Sequence, residues 1–167
     1  MDITQESRKR IRKMKVKGVV IEDFVNYKLP AMFIAFPTCT WKCGKQYCQN
    51  CQLAREKNIN INIENLVEQY CDNPITEAMV CGGLEPFDSW DDLYELIKVF
   101  RRNSKDTIII YTGYTEEELS SKIQILKNIP NLIIKFGRFI PDQPHHKDEL
   151  IGVELASPNQ YAKVISK

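Results

Sequence analysis

Four cysteines crowd one short stretch of this sequence: Cys39-Thr-Trp-Lys-Cys43-Gly-Lys-Gln-Tyr-Cys48-Gln-Asn-Cys51. Thiolates are strong ligands for iron–sulfur clusters and for zinc, and they must converge on the metal from a loop. With only two further cysteines in the chain, Cys71 and Cys81, the clustering favours a metal site over a disulfide framework. Zinc ribbons separate two close cysteine pairs by a longer stretch. Here Cys43 and Cys48 lie too close together for two independent zinc knuckles, so iron–sulfur is the leading reading and a four-cysteine zinc site is the alternative. The spacing also leaves two triads open, Cys39/Cys43/Cys48 and Cys43/Cys48/Cys51.

A second chemical feature is Cys81-Gly82-Gly83-Leu84-Glu85-Pro86, which follows an expected strand. Paired glycines let backbone approach a ligand closely. A third is Tyr111-Thr112-Gly113-Tyr114, at the end of another expected strand. On pattern alone these four residues are as readily core and turn as site. The only histidines, His145 and His146, fall in a Pro- and charge-rich stretch that reads as a solvated loop, and they are not assigned to metal. Cys71 is expected in the core, on an apolar helical face, and Cys81 in the core or beside the glycine loop. There is no Ser/His/Asp constellation.

Strands and helices alternate around these features. Strands are expected at residues 17–21 (KGVVI), 31–36 (AMFIAF), 77–81 (EAMVC), 107–111 (TIIIY) and 132–136 (LIIKF). The second runs directly into the cysteine loop. A helix is expected at 63–71, capped by Asn62 and ended by Asn73-Pro74. Ser89 with Asp92 and Thr115 with Glu118 give capping signals for two more. The alternation implies an α/β fold with parallel strands joined by crossovers. A full eight-unit βα barrel takes roughly 250 residues. With 167 residues the chain is expected to form an incomplete, open βα barrel.

Composition is that of an ordinary globular domain, 43% hydrophobic and 27% charged with a net charge of +1. The charge is uneven. Residues 1–17 carry seven basic side chains against Asp2 and Glu6. Residues 1–16 are read as a basic arm and 17–167 as the domain. A solvated terminus accounts for the arm more simply than a nucleic-acid contact does. No export signal or long apolar run is visible, so a cytoplasmic protein with no membrane contact is expected.

The cysteine loop resembles that of the radical S-adenosylmethionine superfamily, whose signature is C-x3-C-x2-C with an aromatic residue before the third cysteine. Cys39-x3-Cys43 matches the first half. Tyr47-Cys48-Gln49-Asn50 is similar to the aromatic-Cys-x-Asn of the anaerobic ribonucleotide reductase activating proteins, a subgroup of that superfamily. Four residues, not two, separate Cys43 from Cys48. Tyr111-Thr112-Gly113-Tyr114, Phe136-Gly137-Arg138-Phe139-Ile140 and Ser157-Pro158-Asn159-Gln160 also resemble subgroup landmarks. The resemblance implies a radical S-adenosylmethionine fold and a 4Fe–4S cluster on Cys39, Cys43 and Cys48. Its open iron would take the amino and carboxylate groups of S-adenosylmethionine. Tyr47, Gly82, Gly83, Glu85 and Thr112 would bind that cofactor, although Leu84 interrupts the family's Gly-Gly-Glu-Pro. Reductive cleavage would give a 5′-deoxyadenosyl radical that takes hydrogen from a glycine of a partner, most simply anaerobic ribonucleoside-triphosphate reductase or else another glycyl radical enzyme. The electron would come from a donor such as flavodoxin or ferredoxin.

Overall fold

A computed structural model describes residues 11–41 and 48–167. Its centre is a six-stranded mixed sheet. Four strands run parallel in the middle: β3 (Ala31–Phe36), β5 (Ala78–Gly83), β6 (Thr107–Tyr111) and β7 (Leu132–Phe136). An antiparallel strand closes each edge, β2 (Gly18–Asp23) beside β3 and β10 (Tyr161–Ser166) beside β7. The sheet stays open, with β2 and β10 as its two edges.

The parallel strands are joined through α2 (Ile63–Asp72), α3 (Trp90–Asn103) and α4 (Ser120–Leu126). Asn62 caps α2 as expected, its side chain accepting from the Asn65 amide. Ser89 precedes α3 but makes no side-chain cap; its hydroxyl bonds Thr38 instead. Thr115 and Glu118 exchange the reciprocal capping bonds on the turn before α4.

Period-two alternation sorts the strand residues between two faces. Met32, Ile34, Phe36, Met79, Cys81, Ile108, Ile110 and Ile134 join Leu66, Val67, Leu93, Leu96, Phe100 and Leu126 of the helices in one large core. The opposite face holds Ala31, Ala78, Val80, Ile109 and Ile133 in a smaller cluster with Tyr27, Ile151 and Leu155. Ile151 and Leu155 belong to the hairpin of β8 (His146–Asp148) and β9 (Val153–Leu155). Asp148 holds this hairpin, accepting from the amides of Leu150, Ile151 and Ala162.

The boundary expected after residue 16 is corrected. Residues Lys13–Val16 form β1, paired antiparallel with β4 (Ile59–Asn62). Met14 and Val16 are buried in the main core while the intervening lysines face out. The alternation Lys-Met-Lys-Val carries a strand signal that the basic character of the segment conceals. The helix α1 (Cys51–Arg55) follows the cysteine loop. Among the described residues no helix is long and apolar enough to cross a membrane.

Candidate functional site

A cavity of about 560 Å³ opens at the C-terminal ends of the four parallel strands. That volume suits a nucleoside-sized ligand. Cys39 and Cys48 line it together with Gly83, Glu85 and Thr112. The loops after β3, β5 and β6 are thereby gathered at one place. Cys43 and Tyr47 lie outside the described residues. Gly82 is adjacent but does not line the cavity.

The cysteine loop is pinned at both of its described ends. At the start, the Thr38 carbonyl accepts from the Glu85 amide at 2.7 Å. The Thr40 amide donates to Asp88 Oδ2 at 2.8 Å, and the Tyr114 hydroxyl donates to Asp88 Oδ1 at 2.6 Å. At the far end, Asn50 Nδ2 donates to the Gly83 carbonyl at 2.6 Å. Both sulfurs accept an amide: Trp41 N lies 3.3 Å from Cys39 Sγ, and Asn50 N lies 3.4 Å from Cys48 Sγ. Amide donors favour thiolate over thiol and tune a bound cluster. Cys51 opens α1, exposed and away from the cavity lining.

The glycine pair permits close packing. Gly83 has φ +81, and a Cβ there would lie 2.7 Å from the Ala35 Cα. A Cβ at Gly82 would strike the Phe33 ring at 2.8 Å. What the pair permits is close contact between β5 and β3, with Gly83 turning the chain into the Leu84–Glu85 loop.

Glu85 is buried beneath that loop. Its Oε1 accepts from Thr112 Oγ1 at 2.9 Å and from Phe87 N at 3.2 Å, and its Oε2 accepts from Gly113 N at 2.9 Å. Burial lifts its carboxyl to about 7 against the pull of these three donors, and Asp88 adds to the rise. Glu85 therefore ties the β5 loop to the β6 loop, and one lone pair on Oε2 remains for a ligand.

A model of the 4Fe–4S single cluster domain family matches residues 31–157. The chain belongs to this 4Fe–4S family. The match begins with β3 and spans the whole cysteine loop. No curated protein and no solved structure matches the chain significantly. The donor set suits the cluster of this family: Cys39 and Cys48 stand on one wall of a cavity, each with an amide donor. Among the described residues no three His, Cys, Asp or Glu side chains gather into a metal site; the third proposed thiolate, Cys43, falls in the span 42–47.

Tyr111, Thr112, Gly113 and Tyr114, the third feature singled out in the sequence, all line the cavity. Arg138 lines it too, paired with Glu118 at 2.6 Å. Asn159 Nδ2 and Gln160 Nε2 donate to the carbonyls of Arg138 and Gly137, so the last two sequence landmarks meet. His145 is exposed in the loop just before β8, as expected, at the rim of the cavity with its Nδ1 3.3 Å from Glu154. Cys71 is a correction. It is exposed, because α2 buries Ile63, Leu66, Val67 and Tyr70 and the stripe ends before it. Cys81 is fully buried in the main core, where burial pushes its thiol up. Lys135 also lines the cavity. Its sequence signal was a lone cation inside the apolar strand LIIKF.

Proposed function

We propose that this chain is a radical S-adenosylmethionine activating enzyme, with its sheet forming the wall of an incomplete βα barrel. Its cluster is held by Cys39, Cys43 and Cys48, and it generates a glycyl radical on a partner enzyme, anaerobic ribonucleoside-triphosphate reductase. The supporting observation is the cavity itself. Two cysteines of a 4Fe–4S family loop, Gly83, Glu85 and Thr112 share one nucleoside-sized space at the C-terminal ends of parallel strands. Cys51 stands outside that space, which favours the triad without it and disfavours a four-cysteine zinc site.

When bound, the reduced cluster supplies one electron that splits the sulfonium C5′–S bond, and the products are methionine, 5′-deoxyadenosine and a partner glycine lacking one hydrogen atom. The chain's own residues bind and shield. Glu85 Oε2 faces the space with a spare acceptor for an ammonium group, held in place by Thr112 and Gly113. Phe33, Leu53 and Leu155 give apolar walls that exclude water. Val25 lines the cavity yet is 74% exposed, next to Phe24 at 64%, so the mouth carries apolar surface that a partner protein can cover. An electron donor of the flavodoxin or ferredoxin kind and a cytoplasmic setting complete the reading.

The test is electron paramagnetic resonance on the anaerobically reconstituted chain, reductant, S-adenosylmethionine and the reductase from the same source. A glycine-centred doublet should appear, and it should vanish when the partner's radical glycine is replaced by alanine. Cys39→Ala, Cys43→Ala and Cys48→Ala should each abolish iron binding, whereas Cys51→Ala should retain it. Cofactor cleavage without a protein radical would remove the activating role. Iron loss in Cys51→Ala but not in Cys39→Ala would overturn the ligand set.

A further inference from the structure

The two edges of the sheet are finished differently. β10 carries Lys163 in mid-strand, and its side chains are engaged: Lys163 Nζ and the Tyr161 hydroxyl both donate to Glu116, and Ser166 Oγ donates to the Ile129 carbonyl. β2 reads Gly-Val-Val-Ile-Glu-Asp, with no lysine or proline. Among the described residues it pairs only with β3. Its apolar residues stand in the open, Val20 at 49% and Ile21 at 42% exposure. A bare apolar edge offers its backbone donors and acceptors to another strand, and charge or proline normally guards against that.

A groove of about 360 Å³ lies beside this edge, on the helix side of the sheet. Val19 and Ile21 of β2, Ile59 and Ile61 of β4, and Leu66 of α2 line it. Ile59 is itself 51% exposed. A strand added to β2 would bring its own side chains over this apolar surface.

Charge along the edge selects the strand. Lys17 precedes β2, and Glu22 and Asp23 end it. Both ends are fixed: Lys17 Nζ donates to the carbonyls of Ala54 and Glu56, and Asp23 accepts from the amides of Val25 and Asn26. A second β2 laid antiparallel sets cation against anion at each end. Antiparallel pairing of identical edges takes a two-fold axis perpendicular to the sheet, so each residue must meet one from the same face. An axis at Val20 puts Val20 against itself, Val19 against the second copy's Ile21 over the groove, and Lys17 against its Asp23. An axis at Val19 would set Val16 against Glu22, and one at Ile21 would set Val20 against Glu22. The register shift with β3 falls between Val20 and Asp23, beyond that centre.

We propose that β2 is a self-association edge, pairing antiparallel with β2 of a second copy about a two-fold axis at Val20. Two six-stranded sheets then become one continuous sheet, and the groove is covered in both copies. The interface rests on the edge, the groove and the charges, and is independent of the S-adenosylmethionine reading.

The test is sedimentation equilibrium of the cluster-loaded full chain, kept anaerobic, across a dilution series. Wild type should reach twice the mass of one chain. Val20→Lys puts two cations directly opposite each other at the axis, and the dissociation constant of the dimer should rise about tenfold or more. Val20 is half exposed, so this variant should fold, with circular dichroism and iron content as in wild type. Val20→Cys should link to itself when oxidised glutathione is added, because facing α-carbons of an antiparallel pair lie about 4.5–5.5 Å apart, within disulfide range. Peptide mapping should find residue 20 joined to residue 20, separate from any link through the exposed Cys51 or Cys71. A wild type that is monomeric at every concentration, or a dimer that Val20→Lys leaves intact, overturns the proposal. In the monomeric case, a Val20→Cys thiol that resists maleimide in the chain alone gives the edge to residues 1–10. A thiol shielded only when the reductase is present gives it to that protein instead.

Discussion

On the face packed by α2, α3 and α4, the strands present Met32, Ile34, Phe36, Met79, Cys81, Ile108, Ile110 and Ile134, all buried and all apolar. On the other face the same strands present Ala31, Phe33, Val80, Gly82, Tyr111 and Lys135. Large side chains fill the first. Small residues, hydroxyls and one charge shape the second, part of which the β8–β9 hairpin and Tyr27 cover. Neighbouring residues of one strand therefore have opposite duties. Stability resides on the helix side, while the cavity side, to which the proposed function assigns recognition, carries buried charge at some cost to stability.

Ile134 and Lys135 test this most sharply, because they are adjacent in β7. Ile134→Ala should lose about 2–5 kcal/mol of unfolding free energy, as for other fully buried aliphatic truncations. Lys135→Met should gain up to about 3 kcal/mol at pH 7, from a shift of the ammonium from 10.5 to about 8. The folded state binds fewer protons than the unfolded one between those values, so wild type should recover stability as pH rises from about 8 to 10.5. The advantage of Lys135→Met should shrink over the same range in urea titrations. A destabilised Lys135→Met would show that the cavity side contributes to the core.

Glu85 gives the complementary acid-side test. Its carboxyl is raised from 4.5 to about 7. The folded state thus holds a proton that the unfolded state releases, and the stability this contributes is full below about 4.5 and lost as pH rises through 7. The associated change is about 3 kcal/mol, and it should be missing from the pH profile of Glu85→Gln. A smaller contrast separates two glycines. Gly83→Ala should cost about 2–3 kcal/mol, because φ is +81 and the new Cβ would meet β3 backbone. Gly113→Ala should cost less than about 1 kcal/mol, since its Cβ would find nothing nearer than 3.6 Å. A similarly small effect is expected for Tyr114→Phe, which removes the bond to Asp88 at the part-buried root of the cysteine loop. A loss of about 1 kcal/mol in thermal unfolding is anticipated.

The helix side was the more legible in sequence. AMFIAF, TIIIY and LIIKF are largely apolar runs flanked by polar or turn residues, and their strands match residue for residue. The β1–β4 ribbon was not foreseen, because lysines and asparagines occupy its outward positions and read as arm and loop. β8 to β10 were missed for a similar reason: short strands in a polar stretch have little periodicity to show, and their order comes from Asp148 and from pairing with β7. Within the site, the cysteines were visible by type and spacing, and Glu85 through the family resemblance. Tyr114, Asp88 and Asn50 act through bonds between distant loops, and spacing along the chain does not encode such contacts.

The two pins of the cysteine loop bear on the entropy of cluster assembly. Thr40 is tied to Asp88 and Asn50 to the Gly83 carbonyl, and neither tie uses a sulfur atom. Thr40 and Asn50, on either side of the loop, are therefore both anchored in the folded domain. Loop-closure entropy grows with the length of chain to be restrained, so anchors at these two points lower what remains to be restrained. Under the proposed ligand set, more of the metal–sulfur bond energy would then remain as affinity. Asn50→Ala should accordingly slow iron–sulfur reconstitution and loosen cluster retention during chelation, although it removes no ligand.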